Sequence, residues 1–83
     1  MGGSASYLQS FIPPLSLSEQ DILKILLSEG ELGVTKVASI LNLAASSTHA
    51  AFKKLEEAGL VEKTATLAQR TLTPIGREIA QRL

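Results

Sequence analysis

The chain has 83 residues, no cysteine and a formal net charge of zero. This length predicts one small domain, and the lack of cysteine excludes a disulfide framework, a thiolate metal site and a cysteine nucleophile. No run approaches the roughly 18 apolar residues of a membrane span and no signal peptide opens the chain, so we expect a cytoplasmic protein with no membrane partner.

Charge is unevenly distributed along the chain although it sums to zero. Residues 1–33 carry one basic and four acidic side chains, whereas residues 34–83 carry seven basic and four acidic ones. This asymmetry is compatible with one basic face that meets an anionic partner, and also with ordinary scatter of surface charge.

The N-terminal sequence falls into two segments. Residues 1–6, MGGSAS, are rich in glycine and serine, which predicts a flexible start. Residues 7–16 form an apolar arm, whose helical spacing continues until Pro13 and Pro14 interrupt it. Exposing such an arm costs roughly 1.5–3 kcal/mol per large side chain, so it should pack on its own domain or on a second copy. Small domains without disulfides or metals commonly oligomerise, which favours a dimer interface that includes Tyr7, Leu8, Phe11 and Ile12.

The first secure helix is predicted to begin at Ser18 and to end at Gly30. Ser18 and Asp21 form the S-x-x-[DE] pattern that precedes many helices. A wide apolar face indicates that this helix is well buried; its residues are Ile22, Leu23, Ile25, Leu26 and Leu27.

Two shorter helices follow in close succession, after a possible stub of strand at Gly33-Val34. Thr35 is the predicted N-cap of the second helix, and Asn42 closes it. The predicted inward residues of the second helix are Val37, Ile40 and Leu41, and those of the third are Thr48, Ala51, Phe52 and Leu55. Gly59 ends the third helix with left-handed backbone angles. Two short helices joined by a tight turn form a helix-turn-helix.

The outer face of the third helix, about residues 45–58, consists of small, polar or basic side chains. Small side chains let a helix backbone approach base edges closely, and lysines neutralise phosphates. This face therefore favours insertion into the major groove of DNA, and the alternative is an ordinary solvated surface helix. We expect Glu56 and Glu57 away from DNA, near the hairpin or in solvent.

The last third of the chain predicts a β-hairpin over residues 60–73, followed by a helix. Two short runs rich in valine and threonine form the hairpin, and Thr73-Pro74 supplies an N-cap and a first helical position. The predicted inward residues of the last helix are Ile75, Ile79 and Leu83, with Ala80 beside them, and Gly76 is interpreted as a point of close packing. Residues 17–83 are therefore mainly α with a small β-hairpin: a winged helix-turn-helix with a three-helix core, a β wing and a C-terminal helix.

Three stretches resemble the winged-helix regulators of the MarR (multiple antibiotic resistance regulator) type: VTKVASILNL, SSTHAAFKKLEEAGLVEK and LTPIGREIA. The likeness covers most of residues 17–83 and implies a homodimer that binds pseudo-palindromic double-stranded DNA as a transcriptional regulator. It also implies DNA contacts from three parts of the chain. These contacts are Ala45, Ser46, Ser47, His49, Ala50, Lys53 and Lys54 in the recognition helix, Thr35 and Lys36 at the start of the second helix, and Lys63 and Arg70 in the wing.

The chain departs from this family in two places. Residues 64–68 of the wing carry no charge, where MarR-type wings usually have an Asp followed by arginines. The chain also stops at Leu83, where the family continues into a long helix that builds the dimer and a ligand pocket. We therefore expect the arm and the last helix to form the dimer, with Ile79 and Leu83 contributing, and we expect no small-molecule ligand.

Nothing in the sequence predicts catalysis, a metal site or a cofactor. His49 is the only histidine, and no Gly-rich phosphate loop or nucleophile-and-base pair accompanies it. The alternative to DNA binding is a winged helix used as a protein–protein interaction module. Zero net charge, the uncharged wing tip and the apolar arm favour this alternative, whereas the outer face of the third helix favours DNA.

Overall fold

A computed structural model describes residues 14–65 and 69–83. This part of the chain contains four helices and a three-stranded antiparallel sheet. In chain order they are α1 (Leu17–Glu29), β1 (Glu31–Gly33), α2 (Val34–Leu41), α3 (Ala45–Glu57), β2 (Val61–Lys63), β3 (Gln69–Leu72) and α4 (Pro74–Arg82). A helix-turn-helix followed by two wing strands and a last helix confirms the predicted winged helix-turn-helix fold. None of these helices is long and apolar enough to cross a membrane.

Helix α1 begins two residues earlier than predicted, because Ser16 rather than Ser18 is its N-cap. The Ser16 Oγ accepts a hydrogen bond from the Glu19 backbone N–H at 3.2 Å, and the Ser16 N–H donates to Glu19 Oε1 at 2.8 Å. This reciprocal capping box needs the longer Glu side chain at the third helical position, which the Ser18–Asp21 pair does not supply.

The core lies where α1 and α3 pack against the sheet, α2 and α4. As predicted, α1 contributes Ile22, Leu23 and Leu26, with Ile25 and Leu27 partly buried. The predicted inner face of α3 is also confirmed, since Thr48, Ala51, Phe52 and Leu55 are all buried. Leu15, the last apolar residue of the predicted arm, packs partly against the same core.

Two details of the α2 prediction are wrong. Gly33 is its N-cap and makes no side-chain capping bond, because the chain passes directly from β1, where Gly33 pairs with Gln69, into the helix. Thr35 therefore lies exposed in the first turn. Ile40 is also exposed, because the buried face of the helix consists of Val34, Val37 and Ala38. Asn42 closes α2 with left-handed angles, as predicted.

The predicted stub of strand is present as β1, but it ends at Gly33, since Val34 already belongs to α2; the two hairpin strands are shorter than predicted. Strand β3 lies in the centre, between β1 and β2. Val61 pairs with Leu72 and Lys63 with Arg70, while Leu32 of β1 also pairs with Arg70. Residues 66–68, which include the predicted wing tip, lie outside the described residues. Gly59 has φ +77°, which confirms the predicted left-handed position after α3.

Helix α4 begins as predicted but presents a different face to the core. The Thr73 Oγ1 accepts from the Gly76 N–H at 3.0 Å and donates to the Gly59 carbonyl at 2.6 Å. Gly76 lies against the backbone of Leu60 with no room for a side chain, which confirms the predicted close packing.

The inward residues predicted for α4 are only partly correct. Gly76, Ile79 and Ala80 form its buried face, and because Gly76 lies against Leu60, Ile75 points about 100° away from that face. Ile75 is accordingly 63% exposed, and Leu83 is also exposed at the end of the helix.

Candidate nucleic-acid interface

The outer face of α3 is exposed over its whole length. All seven residues predicted to face DNA from this helix are exposed: Ala45, Ser46, Ser47, His49, Ala50, Lys53 and Lys54. The opposite side is held in the core by four buried residues. The helical periodicity of the sequence therefore predicts the two faces correctly, because each residue of an α-helix is rotated by about 100° about the helix axis from the one before it.

The most outward stripe of α3 is Ser46, Ala50, Lys53 and Glu57, at spacings of four, three and four residues. These positions lie opposite the buried stripe on a helix of 3.6 residues per turn. Glu57 is exposed, as predicted, but it shares this stripe instead of lying on the far side. One carboxylate therefore ends an otherwise neutral or basic surface.

A cleft of about 670 Å³ flanks α3 on the side of α2 and the sheet. It brings together four of the predicted DNA contacts, Thr35, Lys36, His49 and Arg70, with Leu32, Gly33, Val34 and Gln69 completing its walls. None of these lining residues is acidic, but the Arg70 guanidinium is paired with the carboxylate of Glu56, so Lys36 supplies most of the positive charge of the cleft. The first turn of α2, which lacks a side-chain cap, begins here and adds a positive dipole end.

A second cleft, of about 310 Å³, flanks α3 on the side of the α1 N-terminus. Ser47, Ala50 and Lys54 line it from α3, and Ser16, Ser18 and Glu19 line it from α1, with Ala51 between them. Here the helix N-terminus is already occupied by its own capping box with Glu19. Glu19 brings a carboxylate to the lining of this cleft, so the cleft is less suited to an anion than the first.

The wing strands place the two remaining predicted contacts differently. Lys63 is exposed on β2. Its cross-strand neighbour Arg70 instead forms an ion pair with Glu56 of α3, in which Arg70 Nε donates to Glu56 Oε2 at 3.0 Å. The Arg70 and Glu56 side chains are 14% and 28% exposed. Glu56 thus lies near the hairpin, as predicted, but sequence reasoning missed its pairing with Arg70 because neither local spacing nor a motif marks it.

The residues predicted for a dimer interface fall into two groups. Tyr7, Leu8, Phe11 and Ile12 lie outside the described residues. Of the α4 pair, Leu83 is exposed, but Ile79 is only 5% exposed because it packs into the core of its own chain. Ile79 therefore offers no surface to a second copy, which corrects that part of the prediction.

The described residues hold no group of three or more metal-binding side chains placed to bind a metal ion. Their clefts and exposed side chains instead concentrate small polar and basic groups around one helix. Such a surface can donate hydrogen bonds and neutralise phosphate charge.

Comparison with known proteins agrees with this geometry. Residues 15–62 match the family model described as winged helix-turn-helix DNA-binding. No curated protein is significantly similar to the chain.

Several solved structures share the fold over most of the chain. The MarR family protein Rv2887 of Mycobacterium tuberculosis is 29% identical, with a TM-score of 0.75, and the match covers 82% of this chain and 50% of that one. The adhesin competence repressor AdcR of Streptococcus pyogenes is 25% identical, with a TM-score of 0.71 over 95% of this chain and 62% of that one. A mutant of Lactococcus lactis ZitR is also 25% identical, with a TM-score of 0.71 over 82% of this chain and 49% of that one. The chain thus matches about half the length of Rv2887 and of ZitR.

Proposed function

Because the chain belongs to the winged helix-turn-helix DNA-binding family, and is similar to a MarR family protein, we propose that it is a transcriptional regulator that binds double-stranded DNA sequence-specifically. We assign it no catalytic activity and no cofactor. The observation that carries this proposal is the division of α3 into a buried apolar face and an exposed face of small and basic side chains.

In the proposed complex α3 lies in the major groove. The Ser46 hydroxyl can donate to or accept from base edges, and the Ala50 methyl can contact the methyl group of a thymine. Lys53 lies on the same stripe, one turn further on, where it can reach a guanine or a phosphate. Because the Glu57 carboxylate at the end of the stripe would repel phosphates, we expect the N-terminal part of α3 to lie deepest in the groove.

The basic cleft beside α3 is the proposed site for the DNA backbone. A phosphate there would meet the Lys36 ammonium, the His49 imidazole and the uncapped first turn of α2, where Thr35 adds a hydroxyl. Lys63 extends the basic surface onto the wing. Phosphate contacts of this kind set the register of a protein on DNA, whereas base contacts select the sequence.

The functional unit in this proposal is a homodimer. Two copies would place their recognition helices in major-groove segments one helical turn, about 34 Å, apart, on the two half-sites of a pseudo-palindrome. The apolar side chains in the sequence of the arm support this proposal, because a second copy could bury them. Leu17, directly after the arm at the start of α1, is 78% exposed and could be buried in the same way.

Replacement of the two lysines of α3 tests the DNA-binding surface. The double variant Lys53→Ala/Lys54→Ala should bind a mixed-sequence duplex about tenfold or more weakly, because two phosphate-neutralising charges are lost. The slope of log affinity against log salt should fall by about 0.9 for each phosphate contact removed. Fluorescence anisotropy at several salt concentrations measures both quantities.

The matched control is Lys24→Ala/Arg77→Ala, which removes two exposed positive charges from α1 and α4. It should leave the salt slope near that of the wild type. If the α3 variant and this control bind alike, α3 does not lie against DNA.

A protein-docking role is the second candidate. It is favoured by the zero net charge and by two large apolar side chains, Leu17 and Ile75, that are more than 60% exposed. Winged helices that bind DNA are usually basic overall. The same anisotropy series separates the two functions, since a docking module would show no salt-dependent affinity for any duplex.

A further inference from the structure

We propose that the Glu56–Arg70 ion pair is a positioning contact that sets the rotation of the recognition helix relative to the wing, and that Arg70 acts through Glu56 instead of binding phosphate. This inference rests on the proposed DNA-binding function. It assigns both residues a role that differs from the phosphate contact implied for Arg70 by the family resemblance.

The pair joins two elements that must approach DNA together. Glu56 lies in the last turn of α3 and Arg70 lies in β3, and their side chains meet at 3.0 Å although they are 14 residues apart in sequence. Strand β3 is the central strand and is hydrogen-bonded on both sides. The Arg70 backbone is therefore fixed, and the ion pair transmits that position to α3.

The orientation of Arg70 follows from the strand. Side chains alternate between the two faces of a strand, so Arg70 shares the face of the buried Leu72, which is the face towards the helices. Its 14% exposure agrees with this orientation. A guanidinium held in this way presents little of its surface to a phosphate, although it lines the basic cleft.

In the first half of α3 the core contacts are made by small side chains, whereas the large side chains of Phe52 and Leu55 hold its second half. Two of its four buried side chains, Thr48 and Ala51, are small, and the Thr48 hydroxyl bonds within the helix, to the Ala44 carbonyl at 2.8 Å. The ion pair adds a contact between the flank of the helix and β3, and this contact opposes rotation of α3 about its axis. A rotation of about 20° would move the Ser46–Lys53 stripe by an ångström or more, because side-chain ends lie about 5–6 Å from the helix axis.

Arg70 also needs a carboxylate for local charge balance. Lys63 is its direct cross-strand neighbour on the same face, and like charges in that arrangement are destabilising. Lys36 lines the same cleft as Arg70. Glu56 offsets this concentration of positive charge at the point where the wing meets α3.

The test measures the affinity of purified variants of the 83-residue chain for a duplex of about 30 base pairs that the wild-type protein has selected from a random pool. The variants are Glu56→Gln, Arg70→Gln and the charge exchange Glu56→Arg/Arg70→Glu. Glu78→Gln, at an exposed position of α4 outside the proposed interface, is the reference for loss of a carboxylate. Arg77→Gln is the reference for loss of an exposed arginine. Thermal melts confirm that each variant is folded at the assay temperature.

A positioning role predicts that Glu56→Gln and Arg70→Gln each weaken specific binding about fivefold or more, with the salt slope unchanged. Charge exchange should restore part of the loss. Glu78→Gln should bind as tightly as the wild type, because Glu78 lies on α4 and lines neither cleft beside α3. If Arg70→Gln does not fold, Glu56→Gln decides the question alone.

A phosphate-binding Arg70 predicts the opposite pattern. Removal of its carboxylate partner in Glu56→Gln would then leave binding unchanged or tighter, and Arg70→Gln would lower the salt slope by about 0.9. Either result overturns the inference while DNA binding by the wild type stands. Failure of the wild type to enrich any duplex contradicts the proposed function itself, and the inference with it.

Discussion

Gly76 shows how a single hydrogen atom in place of a side chain sets the packing of this domain. It lies on the buried face of α4, and a Cβ there would collide with the carbonyl group of Leu60. Backbone atoms of Leu60 cannot move aside easily, since its N–H donates to Leu55 at 2.9 Å and its carbonyl accepts from Thr73 at 3.0 Å. The backbone of Leu60, just before β2, and the backbone of α4 at Gly76 are therefore in direct contact.

Substitution of this glycine should be costly although alanine is the better helix former. Gly76→Ala should lower the free energy of unfolding by about 1–3 kcal/mol, because overpacking strain exceeds the gain of up to about 1 kcal/mol in helix propensity. Urea denaturation followed by circular dichroism measures this change. Glu78→Ala, at an exposed position of the same helix, serves as control and should be neutral or slightly stabilising. An equal or higher stability of Gly76→Ala would show that α4 does not pack this closely.

At the level of the element, the start of α1 distinguishes two serines that look equivalent in sequence. Ser16 makes both hydrogen bonds of a capping box with Glu19. Ser18 lies inside the first turn and lines the small cleft beside α3.

The two serines should differ when each is replaced by alanine. Ser16→Ala should lower the free energy of unfolding by about 1 kcal/mol, the usual contribution of a side-chain N-cap. Ser18→Ala should stay within about 0.5 kcal/mol of the wild type, as most surface substitutions do. Thermal denaturation of both variants at matched concentration makes the comparison. If Ser18→Ala lost more free energy of unfolding than Ser16→Ala, α1 would begin at Ser18, as the S-x-x-[DE] pattern predicts.

The same elements show how far sequence reasoning extends. The buried faces of α1 and α3 agree with the prediction, because apolar residues recur every 3.6 residues along the buried face of a long amphipathic helix. The Thr73-Pro74 start of α4 was also correct, since both residues act locally. What failed depends on tertiary contacts. The N-cap of α2 is Gly33 and not the predicted Thr35. The helix begins earlier because β1, which ends at Gly33, is fixed by pairing with a strand about 40 residues further along.

The candidate nucleic-acid interface could be predicted from the sequence in outline, but the contacts between its elements could not. A run of small, polar and basic residues on α3 marks the exposed face without any structure. The meeting of Lys36, His49 and Arg70 around one cleft depends on how three elements pack. The Glu56–Arg70 ion pair likewise joins residues that no local pattern relates.

At the level of the whole molecule, self-association is the main untested prediction. A symmetric operator requires two recognition helices, and residues 7–13 carry the apolar side chains proposed to join two copies. Deletion of residues 1–13 should convert a dimer into a monomer, because the buried apolar area of the interface is lost. Sedimentation equilibrium measures the mass directly.

Deletion of residues 1–6 alone is the matched control, since MGGSAS contributes no large apolar side chain. This shorter deletion should leave the dimer intact. An unchanged mass after removal of residues 1–13 would place the interface elsewhere, with the exposed Leu83 of α4 as the next surface to examine.

The central claim is that this winged helix binds DNA, and titration of a duplex of about 30 base pairs at several salt concentrations tests it most directly. The proposed interface predicts two chains per duplex and an affinity that falls steeply with salt, by about 0.9 in slope for each phosphate neutralised. Absence of binding at low salt to every duplex of a random pool would contradict the claim, and the outer face of α3 would then be a candidate protein-docking surface.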